Sequence, residues 1–283
     1  MISLKGYKSL KLSGYSRAAH RTGIEIIGLN VLLDAGLDVQ KAFPHIFITH
    51  QHLDHVIYLP QYTMNIDNDK QYINVISTNN ILNNVKPYLC EALKMSKNII
   101  NCNIYDDILK KANTNFIPIN INDNNDSYNF CNGKEQWIVN SVNCYHGIDS
   151  VGFGFSVIKN KLKDEYLNLS NLEIIKLKKD GKTITNEIKE DIFLFLGDTN
   201  KNILQNKEIY KYQSIIIECT YIYEEELHLA KINKHIHWLD IKNIIIENKN
   251  IQFILIHFSM KYKNQEIIDF FNKENLTNID ILI

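Results

Sequence analysis

A cluster of metal-ligating side chains at the end of a strand-like run constrains this 283-residue chain more than any other feature. His50, His52, Asp54 and His55 fall within six residues, directly after the mostly apolar run 44–48. Side chains emerge at the rim of a sheet where a strand ends, so these four can gather around one or two small ions. The alternative is a surface loop that happens to carry histidines, and the density of ligands here argues against it.

Four further strand-like runs end in an ionisable residue: His146, Asp198, Glu218 and His257. Each of these residues alone could be an ordinary turn residue. Taken together with the first cluster, they predict that several strand ends converge on one site.

Two longer segments carry predictions of secondary structure. The run from Ile24 to Leu33 suits a single strand that ends in a turn at 34–36. The segment from Thr78 to Met95 has helical spacing, and Pro87 within it predicts an interruption because proline removes a helix hydrogen bond.

Composition limits the classes of partner and compartment. The net charge is −1, so any contact with nucleic acid must depend on a local patch. The five cysteines form no C-x-x-C pair, and their number is odd. With no apolar run of membrane-spanning length and no signal-peptide pattern, we expect a soluble, reduced, cytoplasmic protein without membrane contact; nucleus and organelle stay open as alternatives.

The residues at the strand ends have the chemistry of a two-ion site. The set comprises five imidazoles and two carboxylates, namely His50, His52, His55, His146, His257, Asp54 and Asp198. Nitrogen-rich ligation favours Zn²⁺ over Mg²⁺ or Ca²⁺, with Mn²⁺ or another divalent ion as the alternative. His50 and His52 can share one ion, Asp54 and His55 can serve a second, and Asp198 can bridge the two. Water held between two such ions ionises near neutral pH and supplies a hydroxide nucleophile.

The motifs resemble those of the metallo-β-lactamase superfamily. Within it they resemble the short form of tRNase Z, a family of endonucleases that trim the 3′ trailer from precursor tRNA. The resemblance rests on H-x-H-x-D-H at 50–55, Gly-Asp-Thr at 197–199, Glu-Cys-Thr at 218–220, Lys-His-Ile-His at 234–237 and His-Phe-Ser at 257–259. It implies an α/β fold, an αββα sandwich of two mixed β-sheets flanked by helices. It also implies a single domain over residues 1–283, with a short lysine-rich insertion at about 159–190.

The resemblance further implies a role for each site residue. His50, His52 and His146 would hold one zinc, Asp54, His55 and His257 the other, and Asp198 would bridge them. Asp54 would accept the proton of the attacking water, and His235 would protonate the leaving 3′ oxygen, oriented by Glu218. Asp34 would accept the free N–H of a ligand histidine. The implied partners are precursor tRNA as substrate and a second copy of the chain in a homodimer.

Two features depart from the family pattern. The family usually has glycine before the acid histidine, where this chain has Lys234, which could alter the loop or place a cation beside the phosphate. Many members carry a protruding arm with a Gly-Pro tip that grips tRNA, yet the interval from His146 to Asp198 contains no proline. The segment is weighted toward lysine and could contact phosphates, or it could be a solvated face with interleaved acids. Its lysines are Lys159, Lys161, Lys163, Lys176, Lys178, Lys179, Lys182 and Lys189.

Two other functional interpretations compete with a tRNA endonuclease. The same ions could serve hydrolysis of a small ester, thioester, sulfate or cyclic phosphate. A non-catalytic module that kept the fold predicts eroded ligands, whereas all seven positions are filled. Two roles are expected for His237 as alternatives: it assists His235, or it binds the product phosphate. His45 is expected to be structural and His228 to be exposed.

Overall fold

The chain forms two mixed β-sheets that pack face to face, with helices on their outer faces. The computed structural model describes residues 1–38, 40–64, 72–97, 104–121 and 126–283. In these residues the first sheet contains β1 to β7 in that order, at Ile2–Ser3, Lys11–Arg17, Arg21–Ile27, Val31–Leu33, His45–Phe47, Ile73–Ser77 and Thr114–Pro118. The second contains β8 to β14, at Tyr128–Asn132, Glu135–Tyr145, Asp149–Leu162, Thr185–Phe195, Ser214–Glu218, Gln252–Ile256 and Ile279–Ile281.

Most of the α-helices connect consecutive parallel strands along the chain. They are α1 to α8, at Leu53–Val56, Leu59–Met64, Asn79–Lys97, Tyr105–Lys111, Asn171–Lys179, Leu227–Asn233, Trp238–Glu247 and Asn264–Glu274. Short 3-10 helices occur at Asp164–Tyr166, Lys201–Gln205, Lys207–Lys211 and Glu224–Glu226. None of the helices in the described ranges is long and apolar enough to cross a membrane.

Aromatic side chains fill the space between the sheets. The ring of Phe47 on β5 lies 5.1 Å from that of Phe153 and 5.0 Å from that of Phe155, both on β10. Phe155 in turn stacks on Phe193 of β11 at 4.3 Å. Burying each such ring contributes roughly 1.5–3 kcal/mol. A second apolar cluster joins the outer face of the second sheet to α7 and α8, which completes the αββα sandwich expected from the sequence.

Two of the predicted elements differ in the structure. The run from Ile24 to Leu33 is not one strand, because Gly28 and Asn30 take positive φ of 100° and 54° and turn the chain between β3 and β4. Pro87 does not interrupt α3, which continues to residue 97. Pro87 and Asn83 are both exposed, so the carbonyl that loses its helix partner can be hydrated while the buried face of the helix keeps its packing.

The parallel strands of both sheets point their carboxyl ends at one edge of the sandwich. β4 to β7 are parallel in the first sheet, and β11 to β14 are parallel in the second. Loops that follow parallel strands collect at the carboxyl edge of a sheet. Side chains that follow β4, β5, β11, β12 and β13 therefore meet at this edge.

Candidate metal centre

The structure brings the seven predicted ligands together in two adjoining groups. One group contains His50, His52, His146 and Asp198, the other contains Asp54, His55 and His257, and within each group one ligand atom per residue lies within 4.8 Å of the others. The carboxylate of Asp198 lies between the groups. Its oxygens are 3.7 Å from His50 Nε2, 3.7 Å from His55 Nε2 and 3.3 Å from His257 Nε2.

The loop after β5 is fixed by a buried carboxylate on the neighbouring loop. Asp34 follows β4 in a left-handed backbone conformation, with φ 58°. It accepts hydrogen bonds from the Thr49 backbone N–H at 2.8 Å and from the Thr49 hydroxyl. It also accepts one from His55 Nδ1 at 2.7 Å, which turns His55 Nε2 toward the site. Asp34 thus accepts the N–H of a predicted ligand histidine, as the resemblance implies, and it also holds the loop that carries that histidine.

Four of the ligand histidines share one hydrogen-bonding pattern. Each directs Nδ1 at an oxygen acceptor outside the ligand set, at distances of 2.7 to 3.3 Å. The pairs are His50 with the Thr49 hydroxyl, His55 with the Asp34 carboxylate, His146 with the Lys234 carbonyl and His257 with the Thr220 hydroxyl. An imidazole that donates from Nδ1 presents Nε2 with a free lone pair, which is the form that binds a metal ion.

The donor set fits divalent ions. The Nε2 atoms of His55 and His257 are buried and have no hydrogen-bond partner among the described residues, although an orphaned buried donor or acceptor costs about 1–3 kcal/mol. Two ligands that are each about 2.0–2.1 Å from one zinc in a tetrahedral site are about 3.3–3.4 Å apart. The 3.0 Å between His50 Nε2 and His52 Nδ1, and the 3.3 Å between His257 Nε2 and Asp198, are close to that spacing.

Electrostatics in the site favour a bound cation. Burial lowers the pKa of His50 and His257 well below the ordinary value, so both imidazoles are neutral and able to ligate. Burial also lowers the pKa of His55, but the carboxylates of Asp198 and Asp34 outweigh burial and raise it to about 9. The negative charge around His55 therefore exceeds what the neutral ligands can balance, and a divalent ion supplies the missing positive charge.

A histidine-carboxylate pair lies beside the ligand groups. The buried Glu218 accepts hydrogen bonds from His235 Nδ1 at 2.8 Å, the Thr199 backbone N–H at 2.8 Å, the Ile236 backbone N–H at 3.1 Å and the Thr220 hydroxyl at 2.6 Å. Burial lowers the pKa of His235, but the Glu218 carboxylate outweighs it and raises the pKa to about 9. His235 is thus held as a cation with its ring 5.0 Å from that of His146. This arrangement suits a general acid, because it presents a proton at Nε2 next to the ligand groups.

His237, the second histidine of the motif at 234–237, has a structural role. His237 caps the start of α7, where its Nδ1 accepts a hydrogen bond from the Leu239 backbone N–H at 3.0 Å. Its Nε2 donates to the Tyr223 carbonyl at 2.7 Å, so both ring nitrogens are used. His237 therefore neither assists His235 nor reaches a product phosphate. His45 packs on Tyr128 and Phe130, which confirms a structural role, and His228 is exposed as expected.

The lysine-rich segment extends the second sheet beyond the sandwich. β10 and β11 pair as far as Leu162 and Thr185, and α5 between them has no buried residue. Lys159 pairs with Glu190 at 2.5 Å, so part of the charge is balanced within the segment. Both interpretations of this segment, a phosphate-binding face and a solvated face, are compatible with its exposure.

Several residues that support the site carry no sequence signal. The guanidinium of Arg17, which is buried, donates to the carbonyls of Phe258, Ser259 and Tyr262 and so fixes the loop that follows His257. Thr220 links two parts of the site, because it accepts from His257 and donates to Glu218. A lone arginine and a threonine have no distinguishing spacing, so only the tertiary structure reveals these roles.

Known proteins named tRNase Z or ribonuclease Z are similar to this chain in sequence. No protein-family model matches the chain. The chain is 26% identical over 274 residues to tRNase Z TRZ1 of Arabidopsis thaliana, which covers 95% of this chain and 91% of that protein. It is 25% identical over 277 residues to a ribonuclease Z of Clostridium botulinum, which covers 84% of this chain and 82% of that protein. The resemblance to tRNase Z noted in the motifs is therefore confirmed along nearly the whole sequence.

Solved structures confirm the fold. Human tRNase Z, short form, aligns with a TM-score of 0.54 at 17% identity and covers 96% of this chain and 95% of that one. The metallo-β-lactamase fold protein YhfI of Bacillus subtilis aligns with a TM-score of 0.57 at 9% identity and covers 95% and 94% of the two chains. The two-sheet sandwich described above is accordingly the metallo-β-lactamase fold.

Proposed function

We propose that this chain is a metal-dependent endoribonuclease that removes the 3′ trailer from precursor tRNA. One observation carries the proposal: two groups of ligands joined by Asp198 lie next to a separate histidine-carboxylate pair, His235 and Glu218. The first part can activate water, and the second can protonate a leaving oxygen. The tRNase Z relatives, similar along nearly the whole chain, make precursor tRNA the substrate to test first.

The metal ions in this proposal are two Zn²⁺ per chain. His50, His52 and His146 would hold one ion, Asp54, His55 and His257 the other, with Asp198 shared between them. Bound there, the ions would lower the pKa of a water molecule and offset the negative charge that builds up at phosphorus. Zinc suits the nitrogen-rich ligand set, and Mn²⁺ would be accepted by the same ligands.

The remaining steps belong to side chains of the chain itself. Asp54, whose Oδ2 is 3.6 Å from His55 Nε2, accepts a proton from the attacking water. As the new bond from oxygen to phosphorus forms, the bond from phosphorus to the 3′ oxygen breaks. His235 gives its Nε2 proton to that oxygen, while Glu218 holds the ring by Nδ1. The products are a tRNA with a 3′ hydroxyl and a trailer with a 5′ phosphate.

The organisation of the active protein completes the proposal. Residues 1–283 would act as a single catalytic domain, with residues 159–190 as a lysine-rich insertion. The resemblance to tRNase Z implies a homodimer. The cysteine pattern keeps the cytoplasm as the expected compartment, with nucleus and organelle as the alternatives.

Cleavage of a precursor tRNA that carries a 3′ trailer tests the proposal. With zinc or manganese present, we expect the purified protein to release the trailer. The tRNA should end in a 3′ hydroxyl and the trailer should begin with a 5′ phosphate. Asp54→Ala should abolish the reaction, because Asp54 would both take the proton and help to hold the second ion. The tRNA substrate is wrong if the trailer stays attached while a small phosphodiester is still hydrolysed; the fold would then serve a smaller substrate.

A further inference from the structure

Lys234 has a backbone conformation that disfavours its side chain. It ends α6 with φ 57° and ψ 47°, the left-handed region in which a side chain costs roughly 1–2 kcal/mol and glycine costs little. The tRNase Z pattern has glycine at this position. A residue held in this region next to a functional site is a candidate for a role of its own side chain.

The backbone of Lys234 is anchored to the metal centre. Its carbonyl accepts the hydrogen bond from His146 Nδ1 at 3.3 Å, and the next residue is His235, held by Glu218. These two contacts fix the α-carbon of Lys234 between a predicted zinc ligand and the predicted general acid. Its exposed side chain therefore starts between His146 and His235.

Lys234 lines one of two cavities that have lining residues in common. One, of about 410 Å³, is lined by Lys234, His146 and Asn143, among others. The other, of about 380 Å³, is lined by His235 and Lys231, and both cavities also touch Asn200 and Asn202. The two cavities therefore share two amide side chains, and one cavity places Lys234 beside His146 while the other contains His235.

The charge on Lys234 has no carboxylate partner among the described residues. In the described ranges, no carboxylate oxygen lies within 4.0 Å of its ammonium nitrogen, whereas neighbouring Lys201 pairs with Asp240 at 3.6 Å. The carboxylate that lines the first cavity, Asp149, accepts a hydrogen bond from Asn80 at 2.7 Å. An unpaired ammonium at the edge of a site suited to phosphodiesters can bind a phosphate as a point charge.

We infer that Lys234 binds a backbone phosphate of the RNA next to the scissile bond. The inference rests on the proposed function and adds a phosphate subsite, in which the backbone carbonyl of Lys234 orients His146 and its side chain binds substrate. One residue would thus supply both the carbonyl for His146 and the ammonium for the phosphate. A glycine at this position could supply the carbonyl but not the ammonium.

Steady-state cleavage of precursor tRNA at several salt concentrations tests the inference with two variants. Lys234→Gln removes the charge and keeps most of the length, and Lys234→Gly removes the side chain and suits the backbone. We expect both to raise KM about tenfold, equivalent to about 1.4 kcal/mol, with kcat within about twofold of the parent. The slope of log affinity against log salt should become shallower by about 0.7 to 0.9, the loss of one phosphate contact.

Controls separate substrate binding from folding. Metal content should be unchanged in both variants because the carbonyl that holds His146 remains, and Lys234→Gly should melt at an equal or higher temperature than the parent. Lys249→Gln is the matched control, because Lys249 is exposed in the turn before β13, at the opposite end of the strand from His257. It should leave KM and the salt slope unchanged.

The outcomes distinguish this inference from the function on which it rests. If the parent cleaves precursor tRNA and Lys234→Gln matches it in KM and salt slope, the phosphate subsite is wrong and the proposed function stands. A parent protein that neither binds nor cleaves precursor tRNA overturns both. A loss of metal in either variant would assign Lys234 to the support of His146 alone.

Discussion

Asp198→Ala is expected to reduce cleavage by about a thousandfold or more and to leave fewer than two bound metal ions per chain. The carboxylate of Asp198 approaches His50, His55 and His257 within 3.7 Å, so it lies against histidines of both ligand groups. A loss of about 4 kcal/mol of transition-state stabilisation corresponds to that factor in rate. Elemental analysis of the purified variant, together with its cleavage rate, makes the measurement.

Asp191→Ala is the matched control for this substitution. Asp191 lies on β11, the strand that precedes Asp198, and accepts a hydrogen bond from the Ser156 hydroxyl at 2.6 Å, outside the ligand groups. It should keep both ions and nearly full activity. Full activity in Asp198→Ala with both ions retained would contradict the role of this carboxylate as the bridge.

His235→Ala is expected to lower kcat by about 10²- to 10⁴-fold on precursor tRNA while both metal ions stay bound. The reason is loss of the imidazolium, which Glu218 keeps charged through Nδ1 and whose Nε2 proton the leaving 3′ oxygen needs. A diester with a nitrophenolate leaving group needs no such proton, so its hydrolysis should fall far less. The ratio of the two effects measures general-acid catalysis directly.

The histidine and its carboxylate should act as one unit. Glu218→Gln should lower kcat on its own, and adding it to His235→Ala should cause little further loss, because Glu218 works through the ring it holds. His228→Ala, an exposed histidine earlier in the same region, is the control and should be unaffected. Loss of a metal ion in His235→Ala would instead identify His235 as a ligand, a grouping that its closeness to Asp198 and His257 also allows.

The grouping of the seven candidate ligands could be predicted from sequence because they lie in loops that follow strands. His50 to His55 crowd into one loop, and Asp198 and His257 each close an apolar run that becomes β11 or β13. Alternation and run length mark strands, and parallel strands bring their ends to one edge of a sheet. The same reasoning failed at 24–33, where two residues with positive φ divide one apolar run into a hairpin.

The supporting contacts could not be predicted, because they join residues far apart in the chain through common side chains. Thr220 connects His257 to Glu218, and the Lys234 carbonyl orients His146 from 88 residues away. His237 shows the opposite error: its place in a His-x-His motif suggests chemistry, yet its ring is used entirely by the cap of α7. Whether an imidazole ligates, donates a proton or caps a helix depends on what its second nitrogen contacts, and only the structure reveals that.

The central claim, that these strand ends form a two-ion catalytic centre, is tested most directly by metal content and trailer cleavage measured on one preparation. We expect two zinc ions per chain by elemental analysis. Removing them with a chelator should abolish release of the trailer from precursor tRNA, and restoring zinc or manganese should bring both stoichiometry and cleavage back together. Cleavage that persists after the metal has been removed, or a protein that takes up no divalent ion at these histidines, would contradict the account.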